Sequence, residues 1–291
     1  MPRTRSPPPR PWKRARSCAP PWCRSTPTSP SPSPTARRRW CRHPPEGSAP
    51  RRDILSGVTD SGPTSSAAPD EGHRQYRYSP PPGSTTILLV RHGESAPERS
   101  DRPFPVRDGH GDPELAPDGR EQARRVGERL AAEHRAGATI DAVWVTTLQR
   151  TQQTAAPLVE RLGLTPNVVA DLREVHLGEW ELQFRAKVAS GDPIALRMFT
   201  EERWDVIPGA EPGDEFAARL RRGIDTIVAA HPDQRVVAVV HGGVIGQLLA
   251  TATGSSPFAF IGADNGSISE LVVQSDGRWR LRRYNDVAHL R

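Results

Sequence analysis

Two histidines in this chain each close a short apolar run and open onto glycine. Ile87-Leu88-Leu89-Val90 leads into Arg91-His92-Gly93-Glu94, and Val236-Val237-Ala238-Val239-Val240 leads into His241-Gly242-Gly243. β-Branched and leucine runs of this length read as buried strands. The residues just beyond a parallel strand are where α/β proteins place their chemistry, and an imidazole there can serve as a nucleophile. One such histidine is most simply a hydrogen-bonded structural residue; a second strand, histidine, glycine unit downstream makes a constellation. Between them a third apolar run, Ile140 to Val145, feeds Thr146-Thr147-Leu148-Gln149-Arg150-Thr151. That segment opens a helix and puts Arg150 in its first turn, an arrangement suited to anions. The segment Leu172-Arg173-Glu174-Val175-His176-Leu177-Gly178-Glu179-Trp180 adds a carboxylate.

In this order and with these separations the four blocks resemble the histidine phosphatase superfamily, which is phosphoglycerate mutase-like, and within it the broad-specificity phosphatases. The resemblance covers residues 84–291. It implies an α/β fold, a three-layer α/β/α sandwich with a mostly parallel central sheet, and a metal-independent phosphomonoesterase that acts on a small phosphorylated metabolite with no cofactor. A phosphomonoester dianion repels its attacker, so its oxygens must be neutralised while attack stays in line. Arginine does this bidentately and stays charged, which assigns Arg91 and Arg150 to the clamp, with His241 as a further donor. His92 would attack phosphorus through one ring nitrogen while a backbone carbonyl in the Gly93 turn holds the other. By the resemblance Glu174 protonates the leaving group and then deprotonates water. Gly242, Ser95 and His110 complete the expected substrate contacts, and no residue set is assigned to a metal. His176 and Glu179 read as structural, and Trp180 as core.

The chain departs from its family in two places. Many relatives carry an asparagine six residues after the nucleophile, where this chain has Glu98. The phosphate contact it would make then falls to Ser95, His110 or the Gly109 and Gly111 amides, or the loop from Ser95 to Glu114 takes another path. The mutases carry a tyrosine three residues after the glutamate, where this chain has Leu177. A cofactor-dependent phosphoglycerate mutase-type phosphotransferase is the rival within the class, and a catalytically weak phospho-ligand-binding protein the rival outside it. Such a binding protein would have no use for Glu174.

Composition divides the 291 residues unevenly. Residues 1–83 hold 19 of the 31 prolines, all three cysteines and a net charge of +10, whereas the whole chain carries +6, so residues 84–291 carry −4. Few apolar residues and tracts such as Ser29 to Pro34 cannot offset the entropy of ordering, so this extension is expected to be disordered. Its composition is also what a GC-rich upstream region yields when read from a misplaced start. Arg14, Arg16 and Arg37 to Arg39 lie among Trp12, Trp22 and Trp40, but no nucleic-acid partner is expected. Cys18, Cys23, Cys41 and His43 lack a zinc-ligand spacing. No run is apolar enough to span a bilayer and no apolar core follows the basic start. A cytoplasmic protein without membrane contact is therefore expected, and a homodimer is left open.

Alternation of periods places the remaining elements. A helix after Leu115 shows Ala123, Val126, Leu130 and Ala131 on one face. Strand 140–146, helix 148–163, strand 167–170, helices 192–204 and 212–231, and a helix from Gly243 to Thr253 follow. Strands near 267–273 and 279–284 are joined through Asp276-Gly277, a hairpin signal.

Overall fold

The computed structural model describes residues 75–99 and 101–291. The expectations for the cysteines, the arginine and tryptophan clusters and the disorder of residues 1–74 lie outside the described residues. Residues 75–83, assigned from sequence to the extension, already touch the folded unit. Tyr78 stacks under the Arg282 guanidinium at 3.9 Å, and Ser275 donates its hydroxyl to the Pro82 carbonyl at 3.3 Å.

The elements run β1 (Thr85–Arg91), β2 (Val106–Arg107), β3 (His110–Gly111), α1 (Pro117–Arg135), β4 (Ala142–Val145), α2 (Gln149–Leu162), β5 (Asn167–Val168), α3 (Phe184–Ala189), α4 (Pro193–Glu201), α5 (Gly213–Ala230), β6 (Arg235–Val240), α6 (Gly242–Thr253), β7 (Ile268–Val273) and β8 (Trp279–Asp286). Six strands form one sheet in the order β5-β4-β6-β1-β7-β8. β5, β4, β6 and β1 are mutually parallel, and β7 runs against both its neighbours.

Strand alternation builds the three layers. Ile87 and Leu89 of β1, with Val236, Ala238 and Val240 of β6, pack against Phe216, Leu220, Ile224 and Ile227 of α5 and Val244, Ile245, Leu248 and Leu249 of α6. Leu88, Val90, Val237 and Val239 face the other way, onto Val126, Leu130, Ala155 and Leu158 of α1 and α2. Because the central strands are covered on both faces, they read in sequence as continuous apolar runs. A smaller cluster, Trp180, Ala195, Met198, Ile207 and Phe258, supports the segment around α3 and α4.

Several boundaries differ from the sequence reading for local reasons. β5 is two residues long because Ala170–Leu172 turns into a 3₁₀ helix, which swings Arg173 and Glu174 back over the sheet. α4 stops at Glu201 because Glu202 adopts the left-handed conformation, with φ of 52°. The loop from Ser95 to Glu114 is not irregular throughout, since Asp108 and Gly109 at φ of 50° and 81° turn β2 into β3.

Topology brings the two histidines together. β1 and β6 are parallel neighbours with Arg91 opposite Val240, so His92 and His241 leave adjacent strand ends in the same direction. β4 flanks β6 with Val145 opposite Val239, which delivers Thr146 and the start of α2 to the same edge. Gly93 and Gly119 allow the turn after His92 to rest on the first turn of α1. A Cβ at Gly119 would lie 2.0 Å from the Glu94 carbonyl oxygen, and one at Gly93 would lie 2.3 Å from the Gly119 oxygen. Gly119→Ala is therefore expected to lower stability by about 1–3 kcal/mol in urea denaturation. Gly213→Ala, at a helix start with open space around its Cβ, should change it by less than about 0.5 kcal/mol. Equal small effects would contradict the contact.

Candidate active site

His92 is 5% exposed, and its Nδ1 lies 2.7 Å from the Gly93 carbonyl. A carbonyl only accepts, so Nδ1 carries the proton and the lone pair of the neutral ring is on Nε2. The backbone around it is pinned. Gly93 N donates to Thr154 Oγ1 at 2.9 Å, Asn265 Nδ2 donates to the His92 carbonyl at 2.9 Å, and His92 N donates to the Val240 carbonyl at 3.0 Å.

His241 is fully buried, with its ring centroid 5.2 Å from that of His92. Its Nε2 meets Thr146 Oγ1 at 3.1 Å, and its Nδ1 has no hydrogen-bond partner among the described residues. Burial first, and then the positive charge of Arg150, hold both imidazoles well below the usual histidine range. Each is therefore neutral at pH 7.

The two arginines are held by carbonyls. Arg91 donates to the Ala263 carbonyl, and its buried Nε has no partner among the described residues. Arg150 donates to the Gly111 carbonyl at 2.9 Å and approaches Asp112 at 4.0 Å. Burial lowers the pKa of both, against the opposing pull of Glu174, but a guanidinium starts so high that both stay charged. Gly242 makes room for this packing, since a Cβ there would sit 3.3 Å from Arg91 Nε.

Glu174 comes from the segment after the 3₁₀ turn and points its carboxylate at the start of α6. Oε2 accepts from Gly243 N at 3.1 Å and Oε1 from Val175 N at 3.1 Å. A Cβ at position 243 would lie 2.5 Å from Oε1, so glycine is what lets the carboxylate reach. Arg91, His92, Arg150, Glu174 and Ser95 all line one cavity of about 210 Å³. Ser95 is buried, and its hydroxyl has no hydrogen-bond partner among the described residues.

His110 is a correction to the sequence reading. Its Nδ1 meets the Asp108 carbonyl at 3.1 Å and its Nε2 the Glu174 carbonyl at 3.0 Å, and it does not line the cavity. It positions the Glu174 main chain. The Gly111 amide is also occupied, donating to Glu181 Oε1 at 3.0 Å. Glu98 does line the cavity. His176 and Trp180 are structural as expected: Trp180 is buried, and His176 Nδ1 accepts from Gly178 N at 3.2 Å.

Four residues have structural roles that the sequence reading did not assign. Arg219 of α5 pairs with Glu211 at 2.6 Å and donates to the carbonyls of Asp171, Arg173 and Glu174, each at 2.7 Å, which anchors the loop that carries the acid. Glu181 ties Gly111 to Leu177, and buried Asp112 caps α2 by accepting from Gln149 N at 2.8 Å. Arg185 lines the cavity from α3. Each acts across a long sequence separation, and only the register of α5, with Phe216 and Leu220 inward, hinted at Arg219.

The family model described as "Histidine phosphatase superfamily (branch 1)" matches residues 87–287. The chain belongs to the histidine phosphatase superfamily. It is 33% identical over 207 residues to phosphoglycerate mutase-like protein 4 of Arabidopsis thaliana, covering 70% of this chain and 86% of that protein. To the metal-independent phosphoserine phosphatase of the same plant it is 31% identical over 210 residues, covering 71% and 83%. Among solved structures, the complex of mycobacterial glucosyl-3-phosphoglycerate phosphatase with inorganic phosphate matches with a TM-score of 0.57 at 30% identity, covering 70% of this chain and 98% of that one. The chain is accordingly a phosphoric monoester hydrolase of that superfamily.

The neutral buried histidines give a pH signature. Their pKa is near 6.5 when unfolded and lower when folded, so protons favour the unfolded chain below pH 6.5. The stability they contribute is complete above that value and falls as pH drops, by up to about 1.4 kcal/mol per pH unit for each histidine. Between pH 7.5 and 5.5, urea denaturation should show wild type losing roughly 1 kcal/mol more than His241→Gln. Equal losses would show that His241 is not held neutral.

Proposed function

We propose that this domain is a metal-independent phosphatase of small phosphorylated metabolites, working through a phosphohistidine at His92. The observation that carries it is the Nδ1 contact with the Gly93 carbonyl, which leaves the Nε2 lone pair free in a cavity lined by the partly buried Arg91 and the buried Arg150. In the first step Nε2 attacks phosphorus, the P–O ester bond breaks, and the departing oxygen takes a proton from Glu174. In the second, Glu174 takes a proton from water, the oxygen of that water attacks phosphorus, and the N–P bond breaks to release inorganic phosphate. Arg91 and Arg150 neutralise the non-bridging oxygens in both steps, and His241 Nδ1 and Ser95 Oγ supply neutral hydrogen bonds. Among the described residues no group of three or more His, Cys, Asp or Glu is set to hold a metal ion.

Two relatives are by name phosphatases of phosphomonoesters whose leaving groups are small and polar. This supports a metabolite rather than a macromolecular substrate, in line with the modest inner cavity of about 210 Å³. Among the described residues no helix is long and apolar enough to cross a membrane.

The test is a rapid quench with phosphorus-labelled alkyl and aryl phosphates, with and without chelator, on wild type, His92→Ala and Glu174→Gln. Wild type should trap acid-labile, base-stable phosphate with or without chelator, and His92→Ala none. Glu174→Gln should slow phosphoenzyme formation from the alkyl ester by about 10²–10⁴ and from the activated aryl ester much less. Near wild-type turnover by His92→Ala, or a loss with chelator restored by a divalent ion, would overturn the proposal.

A further inference from the structure

His92 and His241 are held from behind by different kinds of group. The Gly93 carbonyl against His92 Nδ1 only accepts, so it fixes the proton on that nitrogen. Against His241 stands a hydroxyl instead: the fully buried Thr146 has its Oγ1 3.1 Å from Nε2. A hydroxyl either takes a proton from that nitrogen or gives one to it. The surrounding bonds limit the choice. Thr151 Oγ1 lies 2.8 Å from the Leu148 carbonyl, which takes its one proton, and it accepts from Thr146 N at 3.1 Å. Leu148 N donates to Thr146 Oγ1 at 3.3 Å. The Thr146 proton is left with two acceptors, Thr151 Oγ1 at 3.1 Å and His241 Nε2.

A threonine ahead of a helix ordinarily does no more than bond the local amides. Here the ring asks more of it. Burial keeps His241 neutral, so one proton serves two nitrogens, and Nδ1 has no partner among the described residues. A phosphoryl oxygen only accepts, so it bonds Nδ1 only if the proton is there, which leaves Nε2 as a bare acceptor. A carbonyl in the place of the Thr146 hydroxyl would force the opposite tautomer, and a methyl group would leave the buried Nε2 lone pair unmatched.

Resting on the phosphatase reading above, we propose that Thr146 is a positioning residue that sets the tautomer of His241: with a phosphoryl group bound, its hydroxyl donates to Nε2, and the ring's own proton stands on Nδ1 and is donated to a phosphoryl oxygen. Thr151 holds Thr146 for this purpose, as Thr154, about one turn further along α2, holds Gly93. Without the anion the Thr146 proton is free to turn to Thr151 Oγ1, so the oxyanion itself selects the tautomer.

Heteronuclear NMR of the full chain carrying isotope-labelled histidine nitrogens reads the tautomer without turnover, with the His241 signals identified by their loss in His241→Gln. With saturating inorganic phosphate near neutral pH, wild type should show Nδ1 protonated and Nε2 unprotonated but displaced as a hydrogen-bond acceptor is. That displacement should persist in Thr146→Ser and vanish in the near-isosteric Thr146→Val. Phosphatase turnover should fall about tenfold in Thr146→Val, as expected for one buried acceptor left unmatched, and stay within about threefold in Thr146→Ser. In the His241→Gln background Thr146→Val should change turnover by less than about twofold, because the two residues act as a unit. The wild-type spectrum decides the tautomer whether or not a variant folds. Nε2 protonated in the phosphate complex, as the other tautomer or as imidazolium, His241 signals that ignore phosphate, an Nε2 signal unmoved in Thr146→Val, or equal losses in both backgrounds would overturn the assignment. Loss of phosphohistidine trapping with the tautomer intact would instead overturn the phosphatase reading alone.

Discussion

Two guanidiniums stay charged where water is scarce, and the surrounding structure is arranged around that cost. Burial disfavours the charged form of Arg91 and Arg150, yet neither pairs with a carboxylate in a close bidentate contact; Asp112 comes no nearer to Arg150 than 4.0 Å. Backbone carbonyls of Ala263 and Gly111 take one donor from each, leaving the remaining donors for an oxyanion. Burial, with the positive charge of Arg150 second, keeps both imidazoles neutral. In the proposed mechanism the neutral His92 and the arginines with donors to spare serve one step, and a phosphoryl group would complete the charge balance.

Rigidity comes from anchoring the backbone of the segments that carry the site residues. The Arg91-His92-Gly93 turn is held by β6, by Thr154 and by Asn265, and it lies on α1 through a glycine-to-glycine contact. Glu174 is kept in place by Gly243 on one side and on the other by its own carbonyl, which accepts from Arg219 and lies 3.0 Å from His110 Nε2. A site assembled this way loses little on binding, because its donors are already aimed before the substrate arrives.

Much of this was legible in the sequence where a local pattern coincides with a global role. Ile87 to Val90 and Val236 to Val240 are apolar on both faces because the central strands are covered on both, and each ends in its histidine. The Asp276-Gly277 hairpin was readable because alternating strands flank it; Asp108-Gly109, where both residues rather than the glycine alone have positive φ, also joins two strands but was hidden by flanking strands of two residues each. His110 looked like a ligand because it is a histidine in a glycine-rich loop near the nucleophile, and only the fold shows both its nitrogens turned to carbonyls. Arg185 and Arg219 were invisible for the opposite reason: arginines on amphipathic helices look like solvated surface until the partner segment is placed against them.

The central claim is that the buried arginine pair is completed by an oxyanion, and linkage tests it most directly. Unfolding free energy measured against inorganic phosphate at constant ionic strength, with chloride as the balancing anion, should rise for wild type as RT ln(1 + [phosphate]/Kd), about 2.7 kcal/mol at a hundredfold excess over Kd. Arg150→Gln should show a response weaker than wild type at every phosphate concentration. Identical phosphate responses in wild type and Arg150→Gln, or none beyond that of chloride, would contradict the account.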